Sequence, residues 1–213
     1  MLANPLSKAQ LEAADDLYMN SLSGWRAADG ALAELKDRFP EFGQTSVLLK
    51  AVAVNTLYGT NVLAIQKMAE HAVSVLSNAD LSTAGPELVE EVGNLDKRRH
   101  ISFGSKFLHF FLDRERFPIF DKYATEMVEN HLGRANSVRN HKHPYMAFFE
   151  NFHKLKTLSG IECNSQELDR YLWLAGQLNA FKRDPETEIN RETRDLFSEP
   201  TEGQKQLLGA LVP

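Results

Sequence analysis

Between Thr45 and Leu57 the chain is apolar almost all the way round a helical circumference. A polar break, Tyr58-Gly59-Thr60-Asn61, separates this stretch from a second apolar segment, Val62 to Leu76. Both are too long for ordinary strands, and neither reaches the roughly 18 apolar residues of a transmembrane helix. They have to be covered by protein, and the first is expected to be a central helix. Helix signals recur along the rest of the chain. Ser7-Lys8-Ala9-Gln10 and Asn164-Ser165-Gln166-Glu167 read as capping boxes, and Thr201-Glu202-Gly203-Gln204 opens a last helix. Gly24 and Pro40 bracket a helix, Gly85-Pro86 starts a short one, Asp121 begins one running to about Leu132, and His143-Pro144 precedes one reaching about Leu158. Alternating strands with hairpin turns are missing from the pattern. The expectation is an all-α, compact multi-helix body with a groove, formed by residues 1–213 as a single unit.

With 213 residues, 43% apolar side chains and thirteen Phe, the chain can bury one ample core or two smaller ones. The start, Met1-Leu2-Ala3-Asn4-Pro5, lacks the basic and apolar blocks of a signal peptide, so a cytoplasmic location is expected. A lone cysteine, Cys163, rules out an internal disulfide and any multi-cysteine metal site. The net charge of −5 conceals an uneven distribution. Lys97 to Lys156 holds twelve Lys or Arg against six Asp or Glu, together with six of the seven His. Such a window is either a solvated face or an electropositive surface for a phosphate backbone. His141-Lys142-His143 with His131 falls short of the four ligands of a tetrahedral metal site, and no metal or cofactor is expected.

Chemistry concentrates in Ser102-Phe103-Gly104-Ser105-Lys106-Phe107-Leu108-His109-Phe110-Phe111 and, fifteen residues after the lysine, in Phe117-Pro118-Ile119-Phe120-Asp121. The first stretch reads as a helix start with Lys106 in its first turn. Unpaired N–H groups and the macrodipole disfavour a cation there, which pushes the amine toward its neutral, nucleophilic form. If Asp121 faces Lys106 across a cleft, the pair makes a Schiff-base site. Each residue also has a plainer role: Asp121 is an obvious N-cap, and Lys106 can snorkel along a surface. Phe107, Leu108, Phe110 and Phe111 read as core, and His109 as a structural histidine.

The order of an apolar helix over Leu48–Leu57, a second helix, Gly104-Ser105-Lys106, and then Phe117-Pro118-Ile119-Phe120-Asp121 resembles the helix-hairpin-helix DNA glycosylases, and within them the 8-oxoguanine branch. The likeness spans roughly residues 45–133. It implies a glycosylase-like body of two interleaved helical subdomains with a cleft between them, and a hairpin and catalytic segment over residues 97–123. Lys106 matches the family's Schiff-base lysine and Asp121 its essential aspartate. The implied activity is base-excision repair: removal of an oxidised purine from double-stranded DNA, with strand cleavage by β-elimination accessible to the same amine. No membrane or obligate protein partner is implied, and a bacterial version would associate with the nucleoid. Two departures stand out. Ile101-Ser102-Phe103-Gly104 replaces the family's Leu-Pro-Gly-Val-Gly and keeps only the second glycine of its phosphate- and cation-binding hairpin. The interval from lysine to aspartate is also a few residues short.

The resemblance extends to the DNA-contacting residues. Ser102, Gly104 and Ser105 belong to the hairpin, and Lys97, Arg98 and Arg99 lie just before it, where cations would meet phosphates. The turn after the first apolar helix, which in the family enters the gap left by an everted nucleotide, offers Asn55, Leu57, Tyr58 and Asn61. A late helix carries Trp173, Gln177 and Phe181, which suit a base pocket made of a carboxamide and aromatic rings. Two other classes fit the same residues: a non-catalytic DNA-binding module with the glycosylase fold, and a helical interaction domain without a nucleic-acid role.

Overall fold

The structure is a computed structural model that describes residues 1–212. Its described residues form eleven α-helices: α1 (Lys8–Ser21), α2 (Ser23–Arg38), α3 (Gln44–Leu57), α4 (Ile65–Asn78), α5 (Glu87–Gly93), α6 (Ile101–Phe111), α7 (Lys122–Leu132), α8 (Pro144–Ser159), α9 (Ser165–Arg183), α10 (Arg191–Ser198) and α11 (Glu202–Leu211). Two-residue strands β1 (Asn94–Leu95) and β2 (Arg98–Arg99) are the only other ladder among these residues. The protein is therefore all-helical, as its periodicity indicates. No helix in the described residues is long and apolar enough to cross a membrane. The chain divides into two compact units, one made of Met1–Ala27, Asp121–Arg139 and the residues from Glu150 onward, the other of Ala28–Phe120 and Asn140–Phe149.

In the first unit α9 is the central element. Leu168, Tyr171, Leu172, Leu174, Ala175 and Leu178 are buried along it, and α1, α7 and α10 pack against it. Capping boxes at Ser7, Asn164 and Thr201 open α1, α9 and α11, each with the reciprocal side-chain and backbone bonds that the sequence pattern requires. Gly176 sets the approach of α9 to α7, because a Cβ there would lie 2.6 Å from the Tyr123 carbonyl oxygen. Fully buried His131 joins three elements. Its Nδ1 bonds to the Asn4 carbonyl at 2.8 Å and its Nε2 to the Tyr171 hydroxyl at 2.8 Å, and that hydroxyl accepts from Gln10 Nε2 at 3.3 Å.

Helix α10 has no clear signature in the sequence. It is short and charged, and only Leu196 and Phe197 mark its apolar side. Its Glu192 carboxylate accepts from Gly24 N at 2.9 Å, Trp25 N at 3.3 Å and Ser23 Oγ at 3.2 Å, so it fills the orphan donors at the start of α2.

In the second unit α6 is the most deeply buried helix: ten of its eleven residues are buried. Phe103, Phe107 and Phe111 stack at i, i+4 spacing along it, with centroids 5.7 and 5.3 Å apart. Helix α3 departs from the all-round burial expected of it. Val47, Lys50, Ala51 and Val54 face inward, whereas Leu49 and Val52 are 42% and 43% exposed. Apolar side chains occupy its outward positions as well, which is why its pattern looks uniform. The inward face carries a lysine: Lys50 Nζ donates to the Glu41 carbonyl at 2.8 Å and lies 4.4 Å from the Phe42 ring centroid. Burial pulls its amine below the ordinary lysine range.

Two glycines carry the close helix approaches. A Cβ at Gly104 would lie 2.7 Å from the Val89 carbonyl oxygen, and the obstacle at Gly176 is likewise backbone. Gly104→Ala and Gly176→Ala are each expected to destabilise the protein by about 1–3 kcal/mol through overpacking. Urea unfolding checks this, and a shift within error of zero would show that the helices part freely.

Candidate active site

Helix α5 runs into a miniature hairpin in which Asn94 pairs with Arg99 and Leu95 with Arg98. Asp96 and Lys97 have φ of 48° and 64°, the two left-handed residues of a type I′ turn. Helix α6 begins directly afterward, with Gly104 N donating to the His100 carbonyl at 3.0 Å. This corrects two expectations. The tight turn lies at Leu95–Arg98, and Ile101-Ser102-Phe103-Gly104 is already helical. Gly104 serves close packing on α5, the one job that a missing side chain performs there. Lys106 consequently stands in the second turn of α6, past the unpaired N–H groups of the first, so the macrodipole argument loses most of its force.

Lys106 is only 6% exposed, and its Nζ donates to Ser102 Oγ at 2.6 Å. Ser105 next to it is fully buried. Its Oγ accepts from Phe120 N at 3.0 Å and donates to the Ser102 carbonyl at 3.1 Å. The hydroxyl beside the lysine therefore fixes the residue that precedes Asp121. Asp121 caps α7 through Oδ1, which accepts from Ala124 N at 2.8 Å. The Phe117 carbonyl is bonded by His109 Nδ1 at 2.9 Å, and the Pro118 carbonyl by the Tyr145 hydroxyl at 3.0 Å. The Phe117–Phe120 segment is thus held at three points within its unit.

Lys97 and Arg98 are exposed at the hairpin tip. Arg99 is spent on the scaffold: its guanidinium donates to the Lys142 carbonyl at 3.0 Å and ties the hairpin to the 140–143 segment. At the turn after α3, Asn55 organises the loop, with Oδ1 accepting from Val62 N and Thr60 Oγ1 at 2.8 Å each and Nδ2 donating to the Val62 carbonyl at 3.2 Å. Tyr58 donates its hydroxyl to Asp29 and packs on Phe110 at 4.8 Å. Of the four residues expected to meet DNA at this turn, Leu57 and Asn61 have exposed side chains. The sequence reading passed over Leu63, 93% exposed on the same braced loop. Its signal is a large apolar residue two positions after the Gly, Thr and Asn break.

Trp173, Gln177 and Phe181 share one strip of α9 at i, i+4 and i+8. Trp173 meets Trp25 edge-on at 4.8 Å and Phe181 meets Phe197 at 5.7 Å, so α10 and the start of α2 line this strip. Gln177 is 2% exposed; its Oε1 accepts from Thr193 Oγ1 at 3.2 Å, while its Nε2 is buried without a hydrogen-bond partner. An orphaned amide donor costs free energy unless something completes it.

Comparison with known proteins adds a family to this geometry. The model of the HI_0787_N family, described as an N-terminal domain, matches residues 9–116, just over half of the chain. The chain belongs to the HI_0787_N family. The matched span covers the hairpin, α6 and Lys106 and stops short of Asp121. A protein of Haemophilus influenzae (strain ATCC 51907 / DSM 11121 / KW20 / Rd), named Uncharacterized protein, is 30% identical over 128 residues, or 58% of this chain and 62% of the relative. The chain thus spans less than two thirds of that relative's length. No solved structure matches it.

Removing the Ser105 hydroxyl leaves the Phe120 N–H unpaired, so Ser105→Ala is expected to cost about 1–3 kcal/mol and to speed exchange of that amide. Hydrogen exchange reads both. Burial pulls the His109 imidazole from 6.5 down to about 3, opposed by its bond to Phe117. Between those values the unfolded chain takes up a proton that the folded chain refuses, so stability falls as pH drops through this window. The slope is about 1.4 kcal/mol per pH unit for this group alone. Urea melts at several pH values should show a smaller slope for His109→Gln.

Proposed function

We propose that the protein is a DNA base-excision glycosylase that removes an oxidised purine, with Lys106 as the nucleophilic amine and Asp121 as the charge-stabilising carboxylate. The observation that carries this reading is a buried lysine amine held by a neighbouring hydroxyl, on a helix whose adjacent serine pins the chain at the residue before Asp121. The α5–turn–α6 arrangement serves as the helix-hairpin-helix element, with its turn displaced upstream. Lys97 and Arg98 at its tip meet backbone phosphates. Leu63 suits the space that an everted nucleotide vacates.

In the reaction the neutral Lys106 Nζ attacks C1′. The bond from C1′ to the base breaks, and the base leaves with the electron pair and takes up a proton. Positive charge on the sugar peaks in the transition state, where an Asp121 carboxylate lowers the barrier. In the neutral state of the amine, Ser102 Oγ can turn its proton toward Nζ and hold it in place. Ring opening then gives an imine, from which the 3′ phosphate can be eliminated.

A duplex carrying one 8-oxoguanine, incubated with the protein and borohydride, is expected to give a covalent adduct. Lys106→Gln should abolish the adduct and leave duplex affinity largely intact. Asp121→Asn keeps the helix cap and should slow base release by orders of magnitude. Unchanged rates in either variant would overturn the assignment. The position of Lys106 in the second turn, with its amine already bonded to Ser102, favours one other reading, a DNA-binding module without catalysis. In that case the wild type shifts the duplex and traps nothing.

A further inference from the structure

In the first unit a cavity of about 410 Å³ opens between α7 and α9, lined by none of the residues proposed for base excision, and its size suits a small molecule. Three carboxamides line it, and their own bonds orient them. Asn4 Nδ2 donates to Asn130 Oδ1 at 3.0 Å and to the Asn130 carbonyl at 2.9 Å, which leaves Asn130 Nδ2 open. Asn179 Nδ2 donates to Met127 Sδ at 3.2 Å, which leaves Asn179 Oδ1 open. One amide donor from α7 and one amide acceptor from α9 are therefore available in one space. The charges are also sorted. Glu126 is engaged by Arg183 at 3.0 Å and Arg139 at 3.4 Å, while Lys182 lines the cavity, exposed and without an ion-pair partner among the described residues.

We propose that this cavity binds an adenine mononucleotide. Adenine presents an acceptor at N7 beside a donor at N6, the complement of the open Asn130 donor and Asn179 acceptor. On its N7 edge guanine offers an acceptor in place of the N6 donor and sets it against Asn179 Oδ1. The phosphate meets Lys182, whose charge has no counterpart among the described residues. This site stands independently of the glycosylase reading, because it shares no residue with Lys106, Asp121 or the hairpin.

Titration calorimetry of the full chain with AMP, GMP, adenosine and inorganic phosphate tests the assignment. The expected result is saturable one-to-one AMP binding in the micromolar range, with GMP and phosphate at least about tenfold weaker. Lys182→Glu should weaken AMP by about tenfold or more and leave adenosine unchanged, while Asn179→Leu should erase the preference for AMP over GMP. Thermal melts establish that both variants fold. Absence of binding at about 1 mM AMP, equal affinity for phosphate alone, or wild-type behaviour in both variants would each overturn the proposal. Borohydride trapping on damaged duplex is read separately, so either proposal can fail while the other stands.

Discussion

The hydroxyl of Ser105 supports the whole lysine region. It sits fully buried on the most buried helix of its unit and satisfies the part-buried Phe120 N–H. Because an unpaired buried donor is expensive, the segment before Asp121 has one favourable position relative to α6. The Lys106 amine, bonded to Ser102 one turn back, inherits that order. Gly104 makes the arrangement feasible from the other side, since α6 can lie against α5 only where a side chain is missing.

Much of this was legible in the sequence because it rests on local rules. Ser7, Asn164 and Thr201 announce their helices through side-chain-to-backbone bonds spanning three residues, and such bonds survive any tertiary context. Asp121 is legible for the same reason. The turn at Asp96 and Lys97 was not, because a type I′ turn usually signals itself with Asn-Gly, and here a lysine takes the left-handed position. Missing that turn shifted the expected hairpin downstream and placed Lys106 one helical turn too early.

Other features were hidden because they depend on partners far away in sequence. Nothing near Lys50 reveals that its ammonium lies buried beside Phe42 under the Glu41 carbonyl, and periodicity alone offered two apolar faces to choose between. The roles of Asn55 and Tyr58 were obscured in the same way. Both are polar residues at a turn, which suits ligand contact, yet both are consumed by bonds inside their own unit. The Trp173, Gln177 and Phe181 strip was read from spacing, and that spacing places them on one face; the neighbours covering the face come from α10, a helix too charged and short to be noticed.

The cap that Glu192 places on α2 carries a consequence for how the chain is made. A bond to the amide of Gly24 spans 168 residues of sequence, so the start of α2 stays without its anionic partner until α10 has been made. Loop closure over such a separation comes late, and the early helix must wait in a frayed form. Nascent chains halted before α10 would therefore expose an unclosed α2 start to chaperones and proteases, and emergence of α10 would be the event that shuts it.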